Sequence, residues 1–186
     1  MKAFWMQNFC KFILLGFFFI PVGSLAELIA EPEVEDIWVV NFIAETTVHA
    51  SVNGKTTHGD RLRVRLVKEN CEKANLLTTV YTYSEHPELT QIKGRLVSTR
   101  FMGQEVLAKV VYIAPFLLGH SATIDLGWAE LEQMQAILGR KSLITIEFID
   151  SDEFKSTDFF DITQNSWSNK GVEDALIRAQ QICKKM

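Results

Sequence analysis

Apolar and polar residues alternate with a period of two over much of the chain, and this pattern predicts strands. Val48, Ala50 and Val52 share one face of the stretch Thr46–Val52, with Thr47, His49 and Ser51 on the other; Leu62, Val64 and Leu66 alternate in the same way with Arg61, Arg63 and Arg65. The short run 37–43 (IWVVNFI) suits a buried strand. The stretches 76–83, 91–101, 105–116, 119–127, 142–150 and 154–162 carry the β-branched and aromatic residues of further strands. Gly103 separates two of these as a turn, and Pro87 closes another because it cannot donate to a ladder. Asn53-Gly54 is a strong two-residue hairpin signal, and it predicts that His49 faces His58 across the turn, with Asp60 opposite Thr47.

Helical spacing occurs twice. Leu131, Met134, Ile137 and Leu138 predict an internal helix that stops at Gly139. From Ser168 to Lys185, Val172, Ala175, Leu176, Ala179, Ile182 and Cys183 line one face of a terminal helix. Ser168 or Asn169 can cap that helix; Glu173 and Asp174 occupy its first turn and Lys184 and Lys185 its last, as the helix dipole favours. Strands in neighbouring order without regular crossover helices predict an α+β fold. It is a single domain, mainly antiparallel, with one internal helix and a C-terminal helix packed on the sheet.

The first residues change the picture of where this domain works. Lys2 and Lys11 flank the start of an uncharged apolar run, Phe12–Ile20, and Ser24-Leu25-Ala26 has the small residues of a cleavage site, so residues 1–26 read as a signal peptide and 27–186 as the domain. A retained membrane anchor is the alternative, although the run falls short of the roughly 20 apolar residues of a spanning helix. Cleavage would remove Cys10 and leave Cys71 and Cys183. In an oxidising compartment these should pair, tethering the terminal helix to the sheet. The remaining 160 residues carry 23 acidic and 17 basic side chains, a net charge of −6. Without a basic cluster such a chain is not expected to bind nucleic acid, nor to insert stably in a membrane after cleavage.

Candidate chemistry is sparse. His49 and His58, with Asp60 as a third donor, would be close enough to share a divalent metal if the tight hairpin forms; otherwise they lie on a solvated outer face. His120, Ser121 and Asp125 invite a triad, but the strained elbow and oxyanion hole that activate a serine have no counterpart there. No phosphate loop, metalloprotease helix, redox Cys pair or dinucleotide fingerprint is present, so no catalytic residue and no cofactor are assigned. Trp167, in the polar stretch 164–167, is expected to lie partly exposed in a loop as a binding residue, or else to staple the entrance of the terminal helix.

The segment Phe160-Asp161-Ile162, followed by Ala175-Leu176 and ending at Cys183, resembles the last segment of small bacterial periplasmic proteins of the invasion-associated and secretion-accessory type. The resemblance spans about 25 residues, and the loop is longer here. It implies envelope residence and a non-catalytic accessory role, and it carries over no binding residues. The expectation is a periplasmic or secreted protein that binds another envelope or secreted protein or a ligand. An envelope hydrolase or metal-dependent enzyme, using His49, His58 or His120, is the second reading. An inhibitor or immunity factor against a cell-wall-active toxin is the third, since an acidic domain suits a basic partner.

Overall fold

The computed structural model describes residues 37–56, 59–83, 88–116 and 119–186; the expected signal peptide, residues 1–26, and His58 lie outside them. Among the described residues nine strands form one antiparallel sheet: β1 (Val39–Ala44), β2 (Thr47–Asn53), β3 (Arg61–Val67), β4 (Asn70–Thr82), β5 (Leu96–Phe101), β6 (Gln104–Phe116), β7 (Gly119–Glu130), β8 (Leu143–Phe148) and β9 (Gln164–Ser168). Two α-helices accompany them, α1 (Leu131–Leu138) and α2 (Val172–Cys183). The sheet order is β1-β2-β3-β4-β7-β6-β5-β8-β9. The chain therefore leaves β4, passes through a 3₁₀ turn at Leu89–Ile92, and returns by the β5–β6–β7 meander to lie beside β4. Helix α1 then carries it to the far side, where β8 pairs with β5.

The sheet curls so that its last strand meets its first elements. Lys55 N donates to Ser166 O at 2.8 Å, and the buried Trp38 indole donates to Ser168 O at 2.8 Å, so backbone acceptors of β9 are satisfied by the residues flanking β1 and β2. The inward residues of β2 and β3, as the alternation predicts, are fully buried with Trp38, Ile144 and Trp167. Val172, Ala175, Leu176, Ala179 and Cys183 of α2 enter the same cluster. A second cluster gathers Val80, Val97, Val110 and Ile124 under the aromatic pairs Phe148–Phe160, 4.6 Å between centroids, and Phe154–Phe159, 5.3 Å. Cys71 and Cys183 are bridged, with their Cα atoms 5.8 Å apart.

Sequence expectations are corrected at several points. The run 37–43 is not a buried strand: it supplies β1 at the sheet edge, where Val39, Phe42 and Ile43 are exposed and Trp38 alone of the run is buried. The Asn53-Gly54 dipeptide does not make a two-residue hairpin: Asn53 pairs with Arg61, the connection runs from Gly54 to Asp60, and His49 stands opposite Arg65 while Val67 occupies the place opposite Thr47. Tertiary bonds override the local turn preference. Lys55 N and Thr56 N reach β9, at Ser166 O and at Asn165 Oδ1, while Gly54 N closes the loop on Asp60 O at 2.7 Å. The stretch 154–162 is mostly turn, including a 3₁₀ turn at Ser156–Asp158, because Phe154, Phe159 and Phe160 bury themselves in the second cluster from a looping backbone. The last strand is the polar-looking β9, in which alternate residues Asn165 and Trp167 face inward, so Trp167 is fully buried and not exposed in a loop. Helix α2 starts at Val172, behind Gly171, whose φ of 80° suits a residue without a Cβ.

Candidate functional site

The sheet forks. Strand β7 stays paired with β4 down to Lys73↔Glu130, and β6 stays paired with β5 out to Phe101↔Gln104, but the β6–β7 ladder ends at Lys109↔Asp125. The cause is local. At Leu76/Leu77 the β4–β7 register slips by a bulge in which Leu126 is the unpaired residue, and Gly127 beside it, opposite Leu76, takes φ of +111°, where residues 126–130 part from β6. The Asp125 carboxylate fixes that turn, since one of its oxygens accepts from Gly127 N and from Asn75 Nδ2, both at 2.7 Å; Asn75 Nδ2 also donates to Gly127 O at 3.0 Å.

A cleft of about 470 Å³ occupies the fork. Leu76, Leu126, Trp128 and Ala129 line one wall, Phe101, Met102 and Val106 the other, and Met134 and Ile137 of α1 close the floor, with Arg140 and Lys141 at the rim. The β5–β6 turn brings an apolar side chain over this space at a conformational cost. Met102 and Gly103 have φ of 53° and 89°, the combination of a tight primed turn whose first position usually goes to Asn, Asp or Gly. A methionine held at positive φ costs on the order of 1 kcal/mol or more, and such strain concentrates at ligand sites. Trp128 keeps 49% of its surface exposed at the cleft edge, and the Arg65 guanidinium lies 5.3 Å from its ring centroid.

Arg65 belongs to a row of three arginines on the outer face of β3. Arg61 Nε donates to Asn53 Oδ1 at 3.1 Å, Arg63 to Thr79 Oγ1, and Arg65 to Asn75 Oδ1 at 2.8 Å. No ion pair involves these three among the described residues. The negative charge nearest to Arg65 in the network, Asp125, is relayed through Asn75.

The sequence-predicted residues are placed elsewhere. Burial, and then the charges of Arg63 and Arg65, lower the His49 pKa to about 4, so the imidazole stays neutral among the arginines. Asp60 is fully buried and serves as a clasp: it accepts from Tyr81 N of β4 at 2.9 Å and from Asn165 Nδ2 of β9 at 2.8 Å, and burial raises its pKa to about 6 despite those two donors. Asn165 Oδ1 in turn accepts from Thr56 N and Ser166 N. His49 and Asp60 therefore have different partners, and no group of three or more His, Cys, Asp or Glu suited to a metal occurs among the described residues. His120, Ser121 and Asp125 lie along strand β7, with Asp125 committed to the Gly127 turn. The cleft itself had only indirect sequence signals: glycine at 103 and 127, a tryptophan beside the second, and adjacent cations after Gly139.

Comparison of the chain with family models, curated proteins and solved structures finds no match. The fork and its cleft thus carry the functional reading by themselves.

Proposed function

We propose that this chain is an exported, non-catalytic binding protein that takes an apolar ligand or partner group into the cleft between β6 and β7. The observation that carries the reading is the fork: an apolar space of ligand size, opened by a glycine bulge and overhung by a strained methionine, with an exposed tryptophan at its lip. The leader-like residues 1–26 and the Cys71–Cys183 bridge support action in an oxidising compartment, the periplasm or the exterior. With α2 packed on β2–β4 and tied by that bridge, the body serves as a rigid platform from which the fork is presented.

The test uses the oxidised domain and the neutral apolar fluorophore N-phenyl-1-naphthylamine. Saturable enhancement is expected, and Ala129→Phe and Val106→Phe, each filling one wall of the cleft, should abolish it while melting normally. Enhancement that is absent, or that persists in both folded variants, overturns the reading.

A further inference from the structure

Resting on that reading, we infer that the ligand is a single-chain anionic amphiphile, with its alkyl chain in the fork and its head group at Arg140 and Lys141. The apolar walls select a chain, and the volume of about 470 Å³ lies toward the lower part of the roughly 300–1,000 Å³ range of small-molecule sites, room for one chain rather than two. Charge selects the head group. The protein is acidic, at −4 overall, yet the two charged residues that line the cleft are both cations. Arg140 and Lys141 are exposed and make no ion pair among the described residues. A third cation, Arg65, flanks the cleft on the far side of Trp128, and its Nε is buried with no acceptor. An anion at the rim would thus meet positive charge from two directions and cross no carboxylate among the lining residues.

The same arrangement disfavours the competing occupants. A cationic amphiphile would place its charge beside Arg140 and Lys141, and a neutral alcohol would gain nothing from them. Each methylene buried in the fork should tighten binding about fourfold until the cleft is full.

Displacement of N-phenyl-1-naphthylamine from the oxidised domain separates these outcomes, with decanoate, decyl phosphate, decanol and decyltrimethylammonium compared below their micelle concentrations. Both anions should displace the probe at least tenfold more tightly than decanol, with the cation weakest; the tighter anion then names the head group, carboxylate or phosphate. The double variant Arg140→Glu, Lys141→Glu, altered only at exposed positions, should lose the anion preference, decanoate and decyl phosphate then displacing the probe no more tightly than decanol. Equal displacement by all four compounds, or a charge reversal without effect on the anions, overturns the inference but leaves the apolar cleft standing. Failure of the probe itself to bind removes both.

Discussion

Two parts of the one sheet handle their apolar surface in opposite ways. Around α2 the inward residues Val172, Ala175, Leu176, Ala179 and Cys183 are buried, Leu176 and Ala179 without residual exposure, while Ile182, expected on the same face, stays exposed; sulfur joins the helix end to β4. Around α1 the sheet opens instead: Leu131, Met134 and Leu138 are buried, but Ile137 faces the fork with Phe101, Met102 and the half-exposed Trp128. The difference lies in strand pairing. Strands β2, β3 and β4 remain in register along most of their length, so a helix can lie against a continuous surface, whereas β6 and β7 part at Lys109↔Asp125 and leave apolar walls without a partner. Closed packing stabilises, and the parted strands provide room.

Breaking the closed part should have the largest effect. The bridge spans 112 residues of sequence, and on the chain-entropy model a loop of that size is worth about 4 to 5 kcal/mol. Cys183→Ser is therefore expected to lower the melting temperature by roughly 10 to 20 °C for a domain of this size. If the two parts are energetically separate, the variant should still bind N-phenyl-1-naphthylamine within about twofold of the parent well below its melting point, since double effects at distant sites add. Differential scanning calorimetry and the fluorescence titration check the two halves of the statement; an unchanged melting curve would mean that α2 is held by packing alone.

The closed part was also the legible part. The stripe Val172–Ala175–Leu176–Ala179–Cys183, the alternation in β2 and β3 and the pairing of Cys71 with Cys183 all express a simple period or a count of two, which local sequence carries, although Ile182, expected on the same stripe, stays exposed. The misread elements depend on groups distant in sequence. Trp167 looks exposed beside Gln164, Asn165 and Ser166 until Asp60 and Thr56 are seen to satisfy Asn165 and so permit a polar strand to enter the core. Asn53-Gly54 looks like a tight turn until Lys55 and Thr56 are bonded to β9. The fork was hidden for a related reason: where a ladder stops is a property of two strands, and no single stretch encodes it.

The clasp that stitches the closed part titrates in the opposite sense to His49 of β2. Asp60, at about 6 in the fold against about 3.8 unfolded, binds its proton more tightly when folded, so its contribution is fully present below pH 3.8 and is lost as pH rises through 6, a change of about 2 to 3 kcal/mol. His49 does the reverse: at about 4 against 6.5 it stays neutral in the fold, and stability is lost as pH falls from 6.5 toward 4. The opposed slopes should leave the native domain nearly flat between pH 4 and 6. His49→Gln should expose the Asp60 slope, with stability falling as pH rises through that window. Asp60→Asn should expose the His49 slope, with stability falling as pH drops, on top of a uniform loss. That loss arises because the new amide would set an N–H against Asn165 Nδ2, whose own oxygen is already engaged by Thr56 and Ser166. Urea unfolding at pH 4, 5 and 6 measures all three slopes; parallel profiles in parent and variants would remove both assignments.

The smallest expected change in stability acts on the fork itself. A Cβ at Gly127 would meet nothing within 4 Å, so Gly127→Ala introduces no clash, and its cost comes from forcing an alanine to φ of +111°, about 1 to 2 kcal/mol. The chain has a route to relieve that strain, by returning residue 127 to ordinary strand geometry and sliding residues 126–130 back toward β6, at the expense of the two bonds from Asn75 and Asp125 that hold the bulge. If the bulge opens the cleft, this mild substitution should weaken N-phenyl-1-naphthylamine binding by far more than it lowers the melting temperature, whereas Gly139→Ala, outside the fork at the end of α1, should leave binding unchanged. A Gly127→Ala protein that binds the fluorophore with parental affinity would show that the strands part for some other reason, and the contrast between a closed and an opened part of the sheet would lose its proposed cause.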